Sequence, residues 1–177
     1  DGGSVRVTAG GRELTGPARR KVVGGLSHDL MLYPELTAVE NLRFTADLHR
    51  VSRDRIEPAL AEVGLERDGD RPVSVLSRGM QQRCALARVR VIDPRIWVLD
   101  EPTTGFDEPA RRWFPGWIRS LADRGCLVLL CSHGEDEVAQ SADRILVLER
   151  GRLVHDGAGG VDGAATAFER LGAGGGR

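Results

Sequence analysis

Two hydrophobic periods divide the chain. Ile96-Trp97-Val98-Leu99 is apolar without a break and runs straight into Asp100-Glu101-Pro102. An unbroken apolar run of this length predicts a strand buried on both faces, as in a parallel sheet. Cys126-Leu127-Val128-Leu129-Leu130-Cys131 is a second such run and ends in Ser132-His133. Lys21-Val22-Val23-Gly24-Gly25-Leu26 is a shorter third and leads into Ser27-His28-Asp29. Val5-Arg6-Val7 alternates instead, ahead of the turn Ala9-Gly10-Gly11, and predicts an antiparallel edge. Ile145–Glu149 and Arg152–Val154 predict a hairpin around Arg150-Gly151.

Between these strands the period lengthens to that of helices. Thr37 and Glu40 have the spacing of a capping box, with Val39, Leu42 and Ala46 recurring on one face behind them. Ile56, Leu60 and Val63 mark a second helix that stops at Gly64, and Pro58 requires it to begin near Ile56. A polar loop, Arg67 to Pro72, separates it from a helix capped by Ser77 and closed by Asp93-Pro94. After Asp107 a further helix runs to about Arg124, with Trp113 and Trp117 one turn apart and a kink or split expected at Pro115-Gly116. Glu135 to Ala142 is a short helix, Val161 to Leu171 a terminal one, and residues 172–177 read as a flexible tail. Strands alternating with helices place the chain in the α/β class.

The apolar runs at 22–26, 96–99 and 127–131 each stop at a polar group: His28, the pair Asp100 and Glu101, and His133. In a parallel sheet these groups converge on one edge, where open α/β sheets place ligands. Two adjacent carboxylates there suit a hydrated Mg²⁺ and a base for an attacking water. Taken alone, the same string also fits a buried strand ending in a solvated acidic turn. The N–H groups behind Ser77 form a second anion-attracting feature.

Composition narrows the class. At 177 residues the chain has room for one domain with a real core. Its net charge of -1 gives no global basic field toward nucleic acid or an anionic membrane. No stretch approaches the length of a membrane span, and Asp1-Gly2-Gly3-Ser4 lacks the features of a signal peptide. Cys84, Cys126 and Cys131 have no metal-type spacing and are expected to be reduced, small buried residues of a cytosolic protein.

With these motifs in order, the sequence resembles the nucleotide-binding subunits of ATP-binding cassette (ABC) transporters over nearly its whole length. Leu76-Ser77-Arg78-Gly79-Met80-Gln81-Gln82-Arg83 resembles the ABC signature, Ile96 to Glu101 Walker B, Thr104-Gly105-Phe106-Asp107 the D-loop, and Cys131-Ser132-His133 the switch-histidine loop. His28 stands where the family usually has its Q-loop glutamine. The resemblance implies a P-loop NTPase-like ABC ATPase core with an inserted helical subdomain. Residues 36–92 would be the helical signature subdomain, the helical stretch between His28 and Ser77 would touch a membrane partner, and 93–150 would be the core from Walker B to the H-loop. It implies ATP and Mg²⁺ as cofactors, a second nucleotide-binding subunit and a transmembrane permease as partners, and a cytoplasmic position on the inner face of the membrane. No nucleic-acid partner is expected. Residue by residue, Asp100 would hold Mg²⁺ through water, Glu101 would polarise the attacking water, and His133 would contact the γ-phosphate. Asp107 would couple two sites across a dimer. Ser77, Arg78, Gly79, Met80 and Gln81 would face the partner's ATP, and His28 its own. His28, the run Leu32 to Thr37 and Glu40-Asn41-Leu42 are most similar to the haem-exporter ATPases of cytochrome c maturation, with antibiotic and other small exporters as close relatives.

One part of the pattern is missing. A P-loop, Gly-x-x-x-x-Gly-Lys-Ser/Thr, cradles the phosphates in this family, yet the only lysine is Lys21 and no Gly-Lys dipeptide exists. Asp1 to Val5 resembles the segment that follows the P-loop helix, so the P-loop strand and helix are expected to be absent through N-terminal truncation. The expected function is therefore that of an ABC exporter ATPase fragment unable to hydrolyse ATP alone. A degenerate subunit lending its signature loop to a partner is the alternative, although Asp100, Glu101 and His133 are all kept. A chromosome-maintenance or DNA-repair ATPase is disfavoured, because no long heptad region, basic stripe or zinc-type cysteine spacing is present.

Overall fold

A computed structural model of the chain describes residues 4–9 and 11–174. β1 (Val7–Ala9) and β2 (Arg12–Leu14) form the expected antiparallel hairpin, with Val7 opposite Leu14. Its turn includes Gly10, which lies outside the described residues. Then comes a helix the hydrophobic pattern did not predict, α1 (Gly16–Val22). Pro17 in its first turn and the helix-forming run Ala18-Arg19-Arg20 favour it. It takes Lys21 and Val22 from the expected strand, so β3 is only Val23–Leu26.

The helical segment follows the sequence closely. α2 (Ala38–His49) opens on Thr37, whose hydroxyl accepts from Glu40 N at 3.1 Å while the Glu40 carboxylate accepts from Thr37 N at 2.8 Å. A 3₁₀ turn (Arg53–Arg55) leads into α3 (Ile56–Glu62), so Pro58 falls in the first turn, where its missing N–H is harmless. α4 (Arg78–Ile92) is capped by Ser77 and stops at Asp93, at φ 56° ahead of Pro94. Arg90 on α4 is bound by Glu62 of α3 at 2.9 Å and by Asp93 at 2.8 Å, and Glu62 also accepts from the Trp117 ring N–H. That cluster ties α3 to the two helices beneath it.

β4 (Ile96–Asp100) is the middle strand of a parallel sheet, paired with β3 on one side and with β5 (Leu127–Cys131) on the other. The register sets Gly24, Trp97 and Val128 side by side, then Gly25, Val98 and Leu129, then Leu26, Leu99 and Leu130. α5 (Glu108–Asp123) connects β4 to β5. It is one uninterrupted helix, not split at Pro115-Gly116. Its aromatic side packs strongly: Trp113 stacks on Trp117 at 5.4 Å, and Trp117 meets Trp97 edge-to-face at 5.4 Å. Tertiary packing here outweighs the local penalty of a mid-helix proline. α6 (Glu135–Ser141), the hairpin β6 (Arg144–Glu149) and β7 (Arg152–Ala158), and α7 (Gly160–Gly174) complete the chain. They have a small core of their own, Ile145 and Val147 against Ala164 and Ala167. α7 continues into the stretch expected to be a flexible tail from 172, while 175–177 lie outside the described residues. The hairpin turns at Arg150 and Gly151, at φ 48° and 77°, as two-residue turns matched to strand twist require.

The double burial expected of the apolar strands does not hold. Trp97 and Leu99 are sealed against α4 and α5, but Val98, Leu127 and Leu129 on the other face are exposed. Among the described residues nothing covers that face, and β5 pairs with β4 alone, leaving its outer edge open. The expectation of three buried cysteines falls for the same reason: Cys84 is buried on α4, Cys126 is half-buried and Cys131, at the end of β5, is exposed.

Burial pushes the Cys84 thiol up to about 12, so a maleimide reagent at pH 7.5 should label Cys131 first, Cys126 more slowly and Cys84 only in denaturant. Trp97→Ala, which empties the fully buried centre of the main core, should lower stability by about 3–5 kcal/mol in urea melts.

Candidate functional site

The parallel register does what the strand ends require. Asp100 is level with Cys131, and Glu101 N donates to Cys131 O at 2.9 Å, extending the pairing one residue past the strand. This brings Glu101 beside His133: Nδ1 of the imidazole lies 2.6 Å from Glu101 Oε1. An ionised carboxylate only accepts, so the bond places the ring proton on Nδ1 and leaves Nε2 free to act elsewhere. The His133 side chain is 87 % exposed, open to a ligand. Glu101 itself sits at φ 48°, in the left-handed region that a non-glycine residue rarely adopts.

His28, Asp100 and Glu101 line one cleft with Arg78, Gln82 and Thr104. The expected convergence of these strand-end groups is therefore present. The cleft is small, about 60 Å³. Its carboxylates are hard oxygen donors of the kind a magnesium ion takes. Among the described residues no group of three or more histidines, cysteines or acids is arranged to hold a metal alone. Asp100 is suited to the magnesium pattern of one or two carboxylates completed by water and substrate phosphates.

The signature segment meets the site through tight backbone packing. Ser77 Oγ accepts from Met80 N at 3.3 Å, fixing the start of α4. A Cβ on Gly79 would stand 2.6 Å from Gly105 O, so only glycine allows the turn after β4 to approach this closely. Gly105, at φ 84°, lies in turn against the Arg78 side chain. Two of the anticipated ligand residues have structural work instead. Gln81 donates its amide to Val73 O and Leu76 O, at 3.0 and 3.1 Å, and Met80 packs on the main core. Asp107 caps α5, accepting from Ala110 N at 3.0 Å, and is not among the residues lining the cleft.

Four residues join the site that were not named as site residues, although Gln82 lies in the signature string and Ser132 in the switch-histidine loop. Gln82 is buried and reaches Glu101 O at 3.5 Å. Glu137 accepts from Ser132 Oγ at 2.5 Å and from Thr103 Oγ1 at 3.2 Å, and Ser132 Oγ accepts from Gly134 N at 3.0 Å. A half-buried carboxyl thus joins the turn after β4 to the turn after β5, directly behind the Glu101–His133 pair. The only sequence signal for it is its place one helical turn beyond His133. Burial, reinforced by the Glu101 charge, holds the Glu137 carboxyl above its ordinary range against the pull of its two hydroxyl donors.

The profile of the ABC transporter family matches residues 1–104, more than half of the chain. The chain belongs to the ABC transporter family. It is 40% identical over 158 residues to a Nod factor export ATP-binding protein of Neorhizobium galegae, an alignment covering 86% of this chain and 46% of that protein. It is 38% identical over 129 residues to the SkfA peptide export ATP-binding protein of Bacillus subtilis, covering 71% of this chain and 54% of that protein. A sulfate/thiosulfate import ATP-binding protein of Agrobacterium fabrum is 34% identical over 165 residues, covering 89% of this chain and 48% of that protein. The chain thus spans about half the length of these relatives. Its fold matches the ATP-binding cassette MJ0796, solved as a dimer with ADP and Pi, at a TM-score of 0.76 and 24% identity, covering 86% of this chain and 72% of that one.

Because Glu137 binds its proton more tightly folded than unfolded, its contribution to stability is present at low pH and is lost as pH rises from 4.5 through its raised native value. Glu137→Gln should remove that contribution: the stability gap between variant and wild type in urea melts should shift in the variant's favour from pH 4 to pH 8.

Proposed function

We propose that this chain is part of the ATP-binding subunit that powers an ABC exporter, and that Asp100, Glu101 and His133 form its half of an ATP site. The observation that carries this reading is the Glu101–His133 bond at the joint end of two parallel strands, with Asp100 and His28 in the same cleft. Bound Mg-ATP would bring the electrophilic phosphorus and the cation that neutralises its oxygens, so the protein's part is positioning and charge. Asp100 would hold the hydrated magnesium, Glu101 would orient and polarise water, and His133 would offer Nε2 to a phosphate oxygen. Ser77, Gly79 and the first N–H groups of α4, with Arg78 beside them, would meet the nucleotide of a second subunit. Gln81 and Met80 would contribute through the shape of that loop, since their side chains are engaged at home. His28 would contact its own nucleotide and Asp107 would support the subunit contact as the cap of α5.

A membrane-embedded permease would be the other partner, holding the chain at the inner face of the membrane. Among the described residues no helix is long and apolar enough to cross a membrane. The relatives reported above are named for export of a peptide, export of a Nod factor and import of sulfate or thiosulfate. Haem as cargo rests on the likeness of His28 and residues 32–42 to the haem-exporter branch.

The phosphate cradle would have to come from outside residues 1–177, because they hold no Gly-Lys pair and the one lysine, Lys21, lies in the last turn of α1. Calorimetric titration of the 177-residue chain with Mg-ATP should therefore show no saturable binding in the low-micromolar range, and a low-micromolar isotherm would overturn this part of the reading. Addition of a segment carrying Gly-x-x-x-x-Gly-Lys-Ser/Thr ahead of residue 1 should bring binding and hydrolysis, both of which Glu101→Gln should separate by sparing the first and abolishing the second.

A further inference from the structure

His133 must hold one orientation to meet Glu101, and its surroundings give it little help. Its side chain is 87 % exposed, so packing does not choose its rotamer. A site residue is otherwise fixed by hydrogen bonds to it and by the path of the backbone that carries it. The ring has one such bond, from Nδ1 to Glu101 Oε1. The rest falls to the turn between β5 and α6. Gly134, the N-cap of α6, brings no side chain to that turn. Ser132 Oγ does so instead, accepting from Gly134 N at 3.0 Å and donating to Glu137 Oε2 at 2.5 Å. His133 therefore lies between two neighbours that Glu137 pins from behind.

The same carboxyl reaches the other half of the pair. Glu101 is held at φ 48°, a conformation that a non-glycine residue keeps only where its surroundings enforce it. Its turn closes through Thr104 N, which donates to Glu101 O at 3.2 Å. Thr103, inside that turn, donates its hydroxyl to Glu137 Oε2 at 3.2 Å. One oxygen atom thus receives a hydroxyl from each strand-end turn, and both bonds are lost together if the carboxyl is removed. The other oxygen, Oε1, is buried with no partner. An orphaned polar atom of this kind is unfavourable, so fold stability alone does not account for an acid here. Burial keeps the carboxyl above its ordinary pKa, yet Oε2 accepts the two hydroxyls whether or not Oε1 carries a proton.

We propose that Glu137 is a positioning residue for the Glu101–His133 pair. By drawing Ser132 and Thr103 onto one oxygen it keeps His133 Nδ1 on Glu101 and leaves Nε2 directed outward. It touches no ligand itself and acts through the two hydroxyls. Its consequence for catalysis rests on the nucleotide-site reading, but the geometry is tested without nucleotide.

The test is long-range ¹H–¹⁵N NMR of the imidazoles of the 177-residue chain at pH 8.5, with the His133 signals assigned by their loss in His133→Gln. The bond made by one ring nitrogen sets the tautomer, so wild type should show His133 mainly as the Nδ1–H form. In Glu137→Ala the ratio of Nδ1–H to Nε2–H should fall about five-fold, the scale of one net hydrogen bond. Ser132→Ala should give the same fall, and the double variant no more than either alone, as expected for residues acting in one chain. Glu137→Gln, which keeps an oxygen for the two hydroxyls, should stay near wild type. Circular dichroism checks that each variant keeps its helix content, and Ser132→Ala carries the test if Glu137→Ala does not fold. A wild-type tautomer unchanged in Glu137→Ala and Ser132→Ala would overturn the Glu137 assignment alone, as would equal losses in Glu137→Gln and Glu137→Ala. Absence of the Nδ1–H form in wild type would overturn it together with the pair geometry on which the nucleotide reading stands.

Discussion

The in-register parallel pairing of β4 with β3 and β5 is the constraint on which everything else here depends. It fixes which residues leave the sheet at the same level, and so places Glu101 beside His133 and Asp100 beside the His28 turn. A one-residue slip of β5 would turn Val128 and Leu130 out of the core and draw His133 away from Glu101 at the same time. Packing and chemistry are thus locked by a single register, which is why the buried face of the sheet and the acidic cleft cannot be varied independently.

That register is held from one side only. Trp97, Leu99 and Leu26 meet α4 and α5 in a core dense with aromatic contacts, while Val98, Leu127 and Leu129 face outward and β5 keeps an unpaired edge. An apolar sheet face and an open strand edge are both unfavourable in water. The polar cross-ties compensate locally: Glu137 joins the two strand-end turns, and Glu62 gathers Arg90, Arg124 and Trp117 from three directions.

The helical segment shows how far local chemistry alone can fix a path. Asn41, Thr37 and Glu40 determine the start of α2 and the path of the loop before it. Asn41 holds the backbone of Tyr33, whose ring packs edge-to-face on Phe44 of α2.

Most of the architecture was legible in the chain itself. The capping box at Thr37, the late start forced by Pro58, the Ser77 cap, the Asp93-Pro94 stop and the Arg150-Gly151 turn are local signals, and each appears where the residues put it. The convergence of His28, Asp100, Glu101 and His133 also followed from sequence, because strands of a parallel sheet end on one side. Other features depended on what lies across space. The apolar composition of residues 127–131 could not reveal that one face would stay open, nor could Pro115 reveal that stacked tryptophans would carry the helix through it. Glu137 and Gln82 are ordinary polar residues in sequence; only packing gave them their place behind the site. The sequence by itself determined the elements and the end of the sheet at which the chemistry gathers, since caps, turns and strand polarity act within a few residues. Tertiary structure alone decided exposure and hydrogen-bond partnership, since both depend on neighbours far away in the chain.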